Sequence, residues 1–350
     1  MMIALIMAGG FGTRFWPQSR AQMPKQFLKV VGDKSMIQLT VERLEAMIAP
    51  KDTYVVTAKG QEDLVYQHLP QIPRENVILE PFGMNTAPCI ALSTTYLQRK
   101  YPADETVLVL PADHVIRDLP AFHSSIRKAS EQADNGNLVT FGIVPDHPAT
   151  GYGYIEAGEL VSGGAYRVLR FKEKPDRATA EAFLASGKFY WNSGMFCWQL
   201  KTISTAFATH QSAVTDLTKE INQLWDKGIT DISPVYAQMP KLPIDIAIME
   251  PAQNRVVIPV DLGWSDVGSW KALSELSPAD ADGNSIPAGG IAISSTSNYV
   301  YSDKFIALIG VDNLCLVETN DAILITTKDR AEDVKLIVDK LKNDKRTELL

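Results

Sequence analysis

The segment Met7-Ala8-Gly9-Gly10-Phe11-Gly12-Thr13-Arg14-Phe15-Trp16-Pro17, followed by Pro24-Lys25-Gln26, is the stretch best equipped for chemistry. Glycines at 9, 10 and 12 let the backbone take positive φ and approach a ligand closely, with amide N–H groups turned toward phosphate oxygens. Arg14 and Lys25 add fixed positive charge suited to a polyphosphate. A P-loop would end in Gly-Lys-Ser/Thr, which does not occur here. The dinucleotide fingerprint would need a third glycine where Phe15 stands. A glycine-rich surface turn is the bland alternative, and it leaves the adjacent cations unexplained.

Two aspartates offer a second kind of chemistry. Asp113, in Leu110-Pro111-Ala112-Asp113-His114, ends an apolar run at the place where open α/β sheets put ligand contacts. Asp266 lies between Trp264 and Trp270. Mg²⁺ is held by one or two carboxylates plus substrate phosphates and water, so two aspartates from distant segments would meet that need. Each also has a plain reading: Asp113 as a turn residue, Asp266 as the N-cap of a helix over residues 267–273. The residues alone leave both readings open. In Phe171-Lys172-Glu173-Lys174-Pro175, strand alternation puts Phe171, Glu173 and Pro175 on one face and the lysines on the other. As a lone pentapeptide this reads as a solvated strand edge.

The elements that position these residues follow from the hydrophobic pattern. Ile3–Met7 reads as a first strand that runs straight into the glycine loop. Further β-rich runs at Tyr54–Thr57, Val77–Leu79, Thr106–Leu110 and Leu138–Val144 alternate with amphipathic stretches. One of those is capped by Ser35 with Gln38 three residues on, and a helix opens near Asn85. This alternation predicts an α/β domain with a mostly parallel, Rossmann-like sheet flanked by helices. Strands are also expected over 151–155, 167–172 and 189–200, with a helix over 176–186 and mostly helix over 201–240. Glycines and prolines mark a linker around 278–290. Beyond it, short β-rich runs over 291–327 predict a small β domain, a left-handed β-helix being one form open to it, closed by a charged helix over 329–341. The expected domains are therefore 1–282 and 283–350.

Composition narrows the function classes. A net charge of −7 argues against nucleic acid or an anionic membrane as partner. No run approaches the roughly 18 apolar residues of a membrane span, and the apolar N-terminal stretch is too short for a signal peptide. Three widely spaced cysteines, Cys89, Cys197 and Cys315, read as reduced thiols of a cytoplasmic protein.

Six motifs in order carry a resemblance. Gly9–Arg14 with Pro17 and Pro24-Lys25 resembles the signature of sugar-1-phosphate nucleotidyltransferases. Asn85-Thr86-Ala87-Pro88, Leu110–His114, Phe171–Pro175, Trp191–Phe196 and Gly263–Trp270 are similar to the bacterial mannose-1-phosphate guanylyltransferase branch of that family. The resemblance runs from about residue 3 to about 330. It corresponds to the short form, without the phosphomannose isomerase domain of longer members.

The resemblance implies transfer of GMP from GTP to α-D-mannose 1-phosphate, giving GDP-mannose and pyrophosphate, with Mg²⁺ held by Asp113 and Asp266. Arg14 would steady the leaving pyrophosphate, and Lys25 would offset charge on the α-phosphate. Ala8, Gly9, Gly10, Gly12 and Thr13 would line the nucleotide. Glu80 would accept from guanine N1–H and the 2-amino group, with Asn85 and Thr86 at a helix N-terminus nearby. For the sugar phosphate the implied set is Gly153, Glu173, Lys174, Asn192 and Asp245. His114 is expected to be structural, and Tyr152 and Trp191 to fill core or wall. A homodimer through the C-terminal domain is a further expectation. The chain departs from the family pattern at Met84, where an arginine is usual, and in Pro243-Ile244-Asp245-Ile246-Ala247, where Ser-Ile-Asp-Tyr-Ala is usual. Both departures bear on substrate identity more than on reaction type. The competing readings are a nucleotidyltransferase for another base or sugar and a non-catalytic GDP-sugar-binding regulatory protein.

Overall fold

The computed structural model describes residues 2–10 and 12–350, so Phe11 of the glycine loop lies outside the described residues. The chain forms two compact units. One comprises Met1–Gly9, Val41–Ala112 and Ile116–Trp264; the other comprises Gly10–Thr40, Asp113–Val115 and Ser265–Leu350.

The first unit is built on a nine-stranded sheet. Its strands are β1 (Met2–Met7), β2 (Thr53–Ala58), β3 (Val77–Glu80), β4 (Thr106–Pro111), β5 (Leu138–Ile143), β6 (Tyr154–Leu160), β7 (Tyr166–Lys172), β8 (Phe189–Gln199) and β9 (Arg255–Val260). The spatial order is β3-β2-β1-β4-β8-β5-β9-β7-β6. The first four are mutually parallel, and β8 then enters antiparallel to both β4 and β5. From there the sheet is mixed: β5 and β9 are parallel, while β7 pairs antiparallel with β9 and with β6. Strands 1, 2, 4 and 5 are almost wholly buried, as parallel strands covered on both faces must be.

Helices of this unit include α2 (Glu62–His68), α3 (Thr86–Gln98), α4 (Leu119–Asp134), α5 (Arg177–Ser186), α6 (Leu200–His210), α7 (Ser212–Asp226) and the single turn α8 (Ser233–Tyr236). α1 (Met36–Glu42) precedes them in the chain. The Ser35 capping box forms as expected: Ser35 N–H donates to Gln38 Oε1 at 2.9 Å. Elements not singled out by the pattern reading include α2, α4 and β9. Pro259 disguises β9, since a proline usually bars an interior strand. It is tolerated because β7 pairs with β9 only at Val256 and Val257, so no ladder donor is missed at Pro259.

The second unit contains the glycine loop beyond Gly9, the residues around Asp113, α9 (Trp270–Leu276), and the strands β10 (Ile291–Ile293), β11 (Tyr299–Tyr301), β12 (Ala307–Ile309), β13 (Leu314–Glu318) and β14 (Ile323–Thr327), ending in α10 (Val334–Asn343). β10 pairs in parallel with β12, and β11 with β13. The register is constant: Ile291 faces Ala307, Tyr299 faces Cys315 and Thr296 faces Asp312. Each pair is separated by 16 residues, the span of the Thr296–Asp312 hydrogen bonds. The chain therefore coils as a β-helix-like stack. Asparagines satisfy its interior turns: buried Asn298 donates to Asn284 Oδ1 at 2.9 Å and accepts from Leu314 N–H at 3.0 Å. A core of Phe15, Trp16, Val267, Trp270, Tyr299, Cys315 and Val334 holds this unit together.

Candidate active site

In the second unit, Gly12 takes φ 58° and caps a single 3-10 turn over Thr13–Phe15. A Cβ built on Gly12 would lie 2.3 Å from Lys25 Cβ, so only glycine admits the lysine stem. That stem runs buried to an ammonium that donates at 2.7 Å to Asp113 Oδ2 and at 2.7 Å to the Asp266 carbonyl. The ammonium also lies 5.4 Å from the Phe15 ring centroid. Burial pushes the Asp113 carboxyl up, but the Lys25 ammonium, with His114 and the hydrogen bonds, more than offsets this and holds it below the usual range. Thr13, Arg14, Lys25, Asp113, His114 and Asp266 line one cavity of about 380 Å³.

The N-cap reading of Asp266 does not hold. The helix starts later, at Trp270, and Ser269 caps it by accepting from Ala272 N–H at 3.4 Å. Next to Asp266, Val267 sits at φ 47°, a strained conformation for a β-branched residue, and is fully buried. Two aspartates lining one cavity, one of them held ionised, supply the hard oxygen donors that Mg²⁺ takes. Among the described residues no group of three or more His, Cys, Asp or Glu is arranged to hold a metal by itself. A cation completed by substrate phosphates and water fits that donor set.

In the first unit, Ala8-Gly9, Ala112 and Glu80 stand at the C-terminal ends of β1, β4 and β3, the edge where α/β sheets collect ligands. Glu80 is buried at 3% exposure. Its Oε1 accepts a short hydrogen bond from the Tyr236 hydroxyl, and Oε2 lies 3.7 Å from the Cβ position of Gly9. Burial raises the Glu80 carboxyl, against hydrogen bonds from Tyr236 and Cys89 that lower it. Asn85, at φ 83°, caps α3 by accepting from Thr86 N–H at 2.8 Å, and Thr86 Oγ1 accepts from Ile244 N–H at 2.8 Å. Met84 is buried in the core of this unit and offers no cation.

The five residues expected at the sugar phosphate come together in the same unit. A Cβ on Gly153 would lie 2.7 Å from Glu173 Oε2, so a larger residue there would displace that carboxylate. Asn192 N–H donates to the Gly153 carbonyl at 2.8 Å, and its Nδ2 donates to Asp245 Oδ1 at 2.8 Å. Glu173 pairs with Lys174 at 2.9 Å. The strand alternation assumed for these residues stops at Lys172, where β7 ends; Lys174 takes φ 41°, which brings its ammonium round to Glu173. Burial, then repulsion from Glu173, pushes the Asp245 carboxyl up to about 7. Asp245 opens a π-helical turn, Asp245–Met249, a distortion common at functional positions. Tyr152 and Trp191 pack edge to face at 5.0 Å, and Trp191 is buried, in keeping with a wall.

The nucleotidyl transferase family pattern matches residues 3–283. The chain belongs to that family. A second pattern, the mannose-phosphate isomerase/GMP-like β-helix domain, matches residues 289–341. A relative from Escherichia coli described as mannose-1-phosphate guanylyltransferase is 43% identical over 99% of this chain and 75% of its own length. Another, RfbM of Salmonella typhimurium, carries the same description and is 45% identical over 99% of this chain and 74% of its own. A crystal structure from Thermus thermophilus, described as a mannose-1-phosphate geranyltransferase, superposes with a TM-score of 0.89 at 32% identity, covering 97% of this chain and 99% of that one. Members of the family generally use a divalent metal.

Several residues around these family motifs were not singled out from the sequence. Tyr236 falls in a stretch that reads only as helical, and nothing local signals that its hydroxyl reaches Glu80. Thr140, inside β5, donates to Asn192 Oδ1 at 2.9 Å and so fixes which way that amide points. Lys335, near the end of the chain, also lines the cavity of Arg14 and Lys25. No helix is long and apolar enough to cross a membrane among the described residues.

Proposed function

We propose that this chain transfers GMP from GTP to α-D-mannose 1-phosphate, releasing pyrophosphate and forming GDP-mannose. The observation that carries this reading is the similarity over 99% of this chain, at 43–45% identity, to proteins described as mannose-1-phosphate guanylyltransferases. The grouping of Arg14, Lys25, Asp113 and Asp266 around one cavity supports it.

An oxygen of the sugar phosphate forms a bond to the α-phosphorus, and the bond from that phosphorus to the bridging oxygen of the β-phosphate breaks. The attacking oxygen is already ionised near neutral pH, so the step needs no general base. What remains is positioning and charge neutralisation. Arg14 binds the departing pyrophosphate, and Lys25 faces the α-phosphate. Asp113 and Asp266 would hold Mg²⁺, whose contribution is to polarise phosphoryl oxygens as a Lewis acid. Ala8, Gly9, Gly10, Gly12 and Thr13 carry the nucleotide, with Asn85 and Thr86. Glu80 reads guanine through Oε2, while Tyr236 occupies Oε1. Lys174 exchanges its pairing with Glu173 for the sugar phosphate. Glu173, Asn192 and Asp245 bind sugar hydroxyls, and Gly153 gives the ring room.

In this reading residues 1–282 carry catalysis and 283–350 form a β-rich module, a division supported by the family matches over 3–283 and 289–341. A second copy of the chain covers the exposed apolar side chains of that module, among them Ile293, Phe305, Ile309 and Ile325. Size-exclusion chromatography tests this, and a monomer at micromolar concentration rejects it. A reducing, cytoplasmic setting suits the three free, buried cysteines. The function is tested by measuring pyrophosphate release across four nucleoside triphosphates and several sugar 1-phosphates, with and without Mg²⁺. Preference for another pair of substrates, or tight GDP-mannose binding with no turnover, rejects it.

A further inference from the structure

The cavity that contains Arg14, Lys25, Asp113 and Asp266 has one wall that the family motifs leave out. Lys335, carried by α10, lines it as well. Packing fixes the register of that helix: Val334 and Val338 are buried in the cluster that includes Phe15 and Trp16. With those positions committed to the core, Lys335 stays exposed, tethered by its helix to the rim of the cavity.

Lys335 is the second residue of α10, which continues directly from a 3-10 helix over Lys328–Asp333. The cavity's charge balance supplies the second observation. Arg14 and Lys25 offset Asp113 and Asp266, so Lys335 is what makes the lining net positive. A compact ammonium on a flexible stem is suited to a terminal phosphate that arrives bound and leaves free.

We propose that Lys335 is a third cation of the polyphosphate site, binding the terminal phosphates of the nucleoside triphosphate and the pyrophosphate that departs. The C-terminal module, which carries no motif of its own for chemistry, thereby supplies a substrate-binding group. This inference rests on reading the cavity as the polyphosphate site.

The test is steady-state kinetics in both directions on the full chain with Mg²⁺, using Lys335→Ala, Lys335→Arg, Arg14→Ala and, as a control on the same helix, Lys340→Ala. Lys335→Ala is expected to raise KM for GTP, and for pyrophosphate in reverse, by about five- to tenfold. KM for mannose 1-phosphate should not move, and Lys335→Arg should recover most of the loss. The rise of KM for GTP with added KCl should become shallower in Lys335→Ala, because an exposed charge is screened by salt. Unchanged GTP and pyrophosphate constants in Lys335→Ala, beside a weakened Arg14→Ala, overturn the proposal. So does an equal rise in KM for both substrates, which marks a structural effect. If Arg14→Ala also handles GTP and pyrophosphate normally, the polyphosphate reading falls and this inference with it.

Discussion

Asp113 and Asp245 are the same residue type in opposite circumstances. Asp113 faces an ammonium at 2.7 Å and is held below the usual carboxylate range, despite its burial. Asp245 is pushed up to about 7 by burial and then by a second carboxylate, Glu173. The first is committed to negative charge, which suits the metal-ligand role proposed for it. The second is poised to carry a proton near neutrality, so it can donate to a sugar hydroxyl as well as accept from one. Burial raises both carboxyls; at Asp113 the neighbouring ammonium overrides it, and at Asp245 the neighbouring carboxylate adds to it.

The largest test of this contrast is Asp113→Asn, which keeps the shape and removes the charge. Turnover should fall on the order of a thousandfold with an unchanged circular dichroism spectrum, comparable to losing a principal transition-state contact. A variant that remains active would falsify the metal assignment. Next is Lys25→Met, which strips Asp113 of its partner. Turnover should drop about a hundredfold, and the melting temperature should fall by a few degrees, because a partly buried charge is left uncompensated.

The substitution Asp245→Asn should raise KM for mannose 1-phosphate about tenfold. It should also change the pH dependence of stability. The folded-state pKa of Asp245 is raised above its unfolded value, from 3.8 to about 7. Its contribution is therefore fully present below about pH 4 and is lost progressively as pH rises through 7. Urea titrations at about pH 5 and about pH 8 should show that loss in the parent chain and less of it in the variant; equal differences would show that Asp245 titrates normally. Glu173→Gln should lower the Asp245 pKa, as read by carbon-13 NMR of the carboxyl. The smallest effect is expected for Tyr236→Phe, which frees Oε1 of the buried carboxylate Glu80. Discrimination of GTP from ATP should weaken about three- to tenfold, the scale of one ordinary hydrogen bond.

Much of this site was legible because its residues sit in local motifs. Gly12 and Lys25 stand out by residue type and spacing beside an apolar strand, whereas Asp113 alone also reads as a turn residue, and Glu173 and Asn192 are singled out through the family resemblance. The sheet's parallel half was legible for a similar reason, since apolar runs alternating with helices have few other solutions. What escaped depends on long-range geometry. Tyr236 meets Glu80 across 156 residues of chain. Thr140 looks like any β-strand threonine until Asn192 is placed beside it. Pro259 concealed β9 because its tolerance depends on where a neighbouring strand stops pairing. The 16-residue coil of the β module was invisible as a repeat, because it is held by position and a few asparagines rather than by recurring sequence.

That coil also acts as a ruler. Neighbouring strands in a stack lie about 4.8 Å apart, so one added or deleted turn displaces whatever follows by roughly that distance. The element that follows is α10, and with it Lys335. An insertion of one full period should therefore be easy to fold and costly to function, whereas a half-period insertion should be costly to both. The length of the module is then a calibrated spacer, and changes there should come in compensated pairs or in the loops that leave the turn count alone.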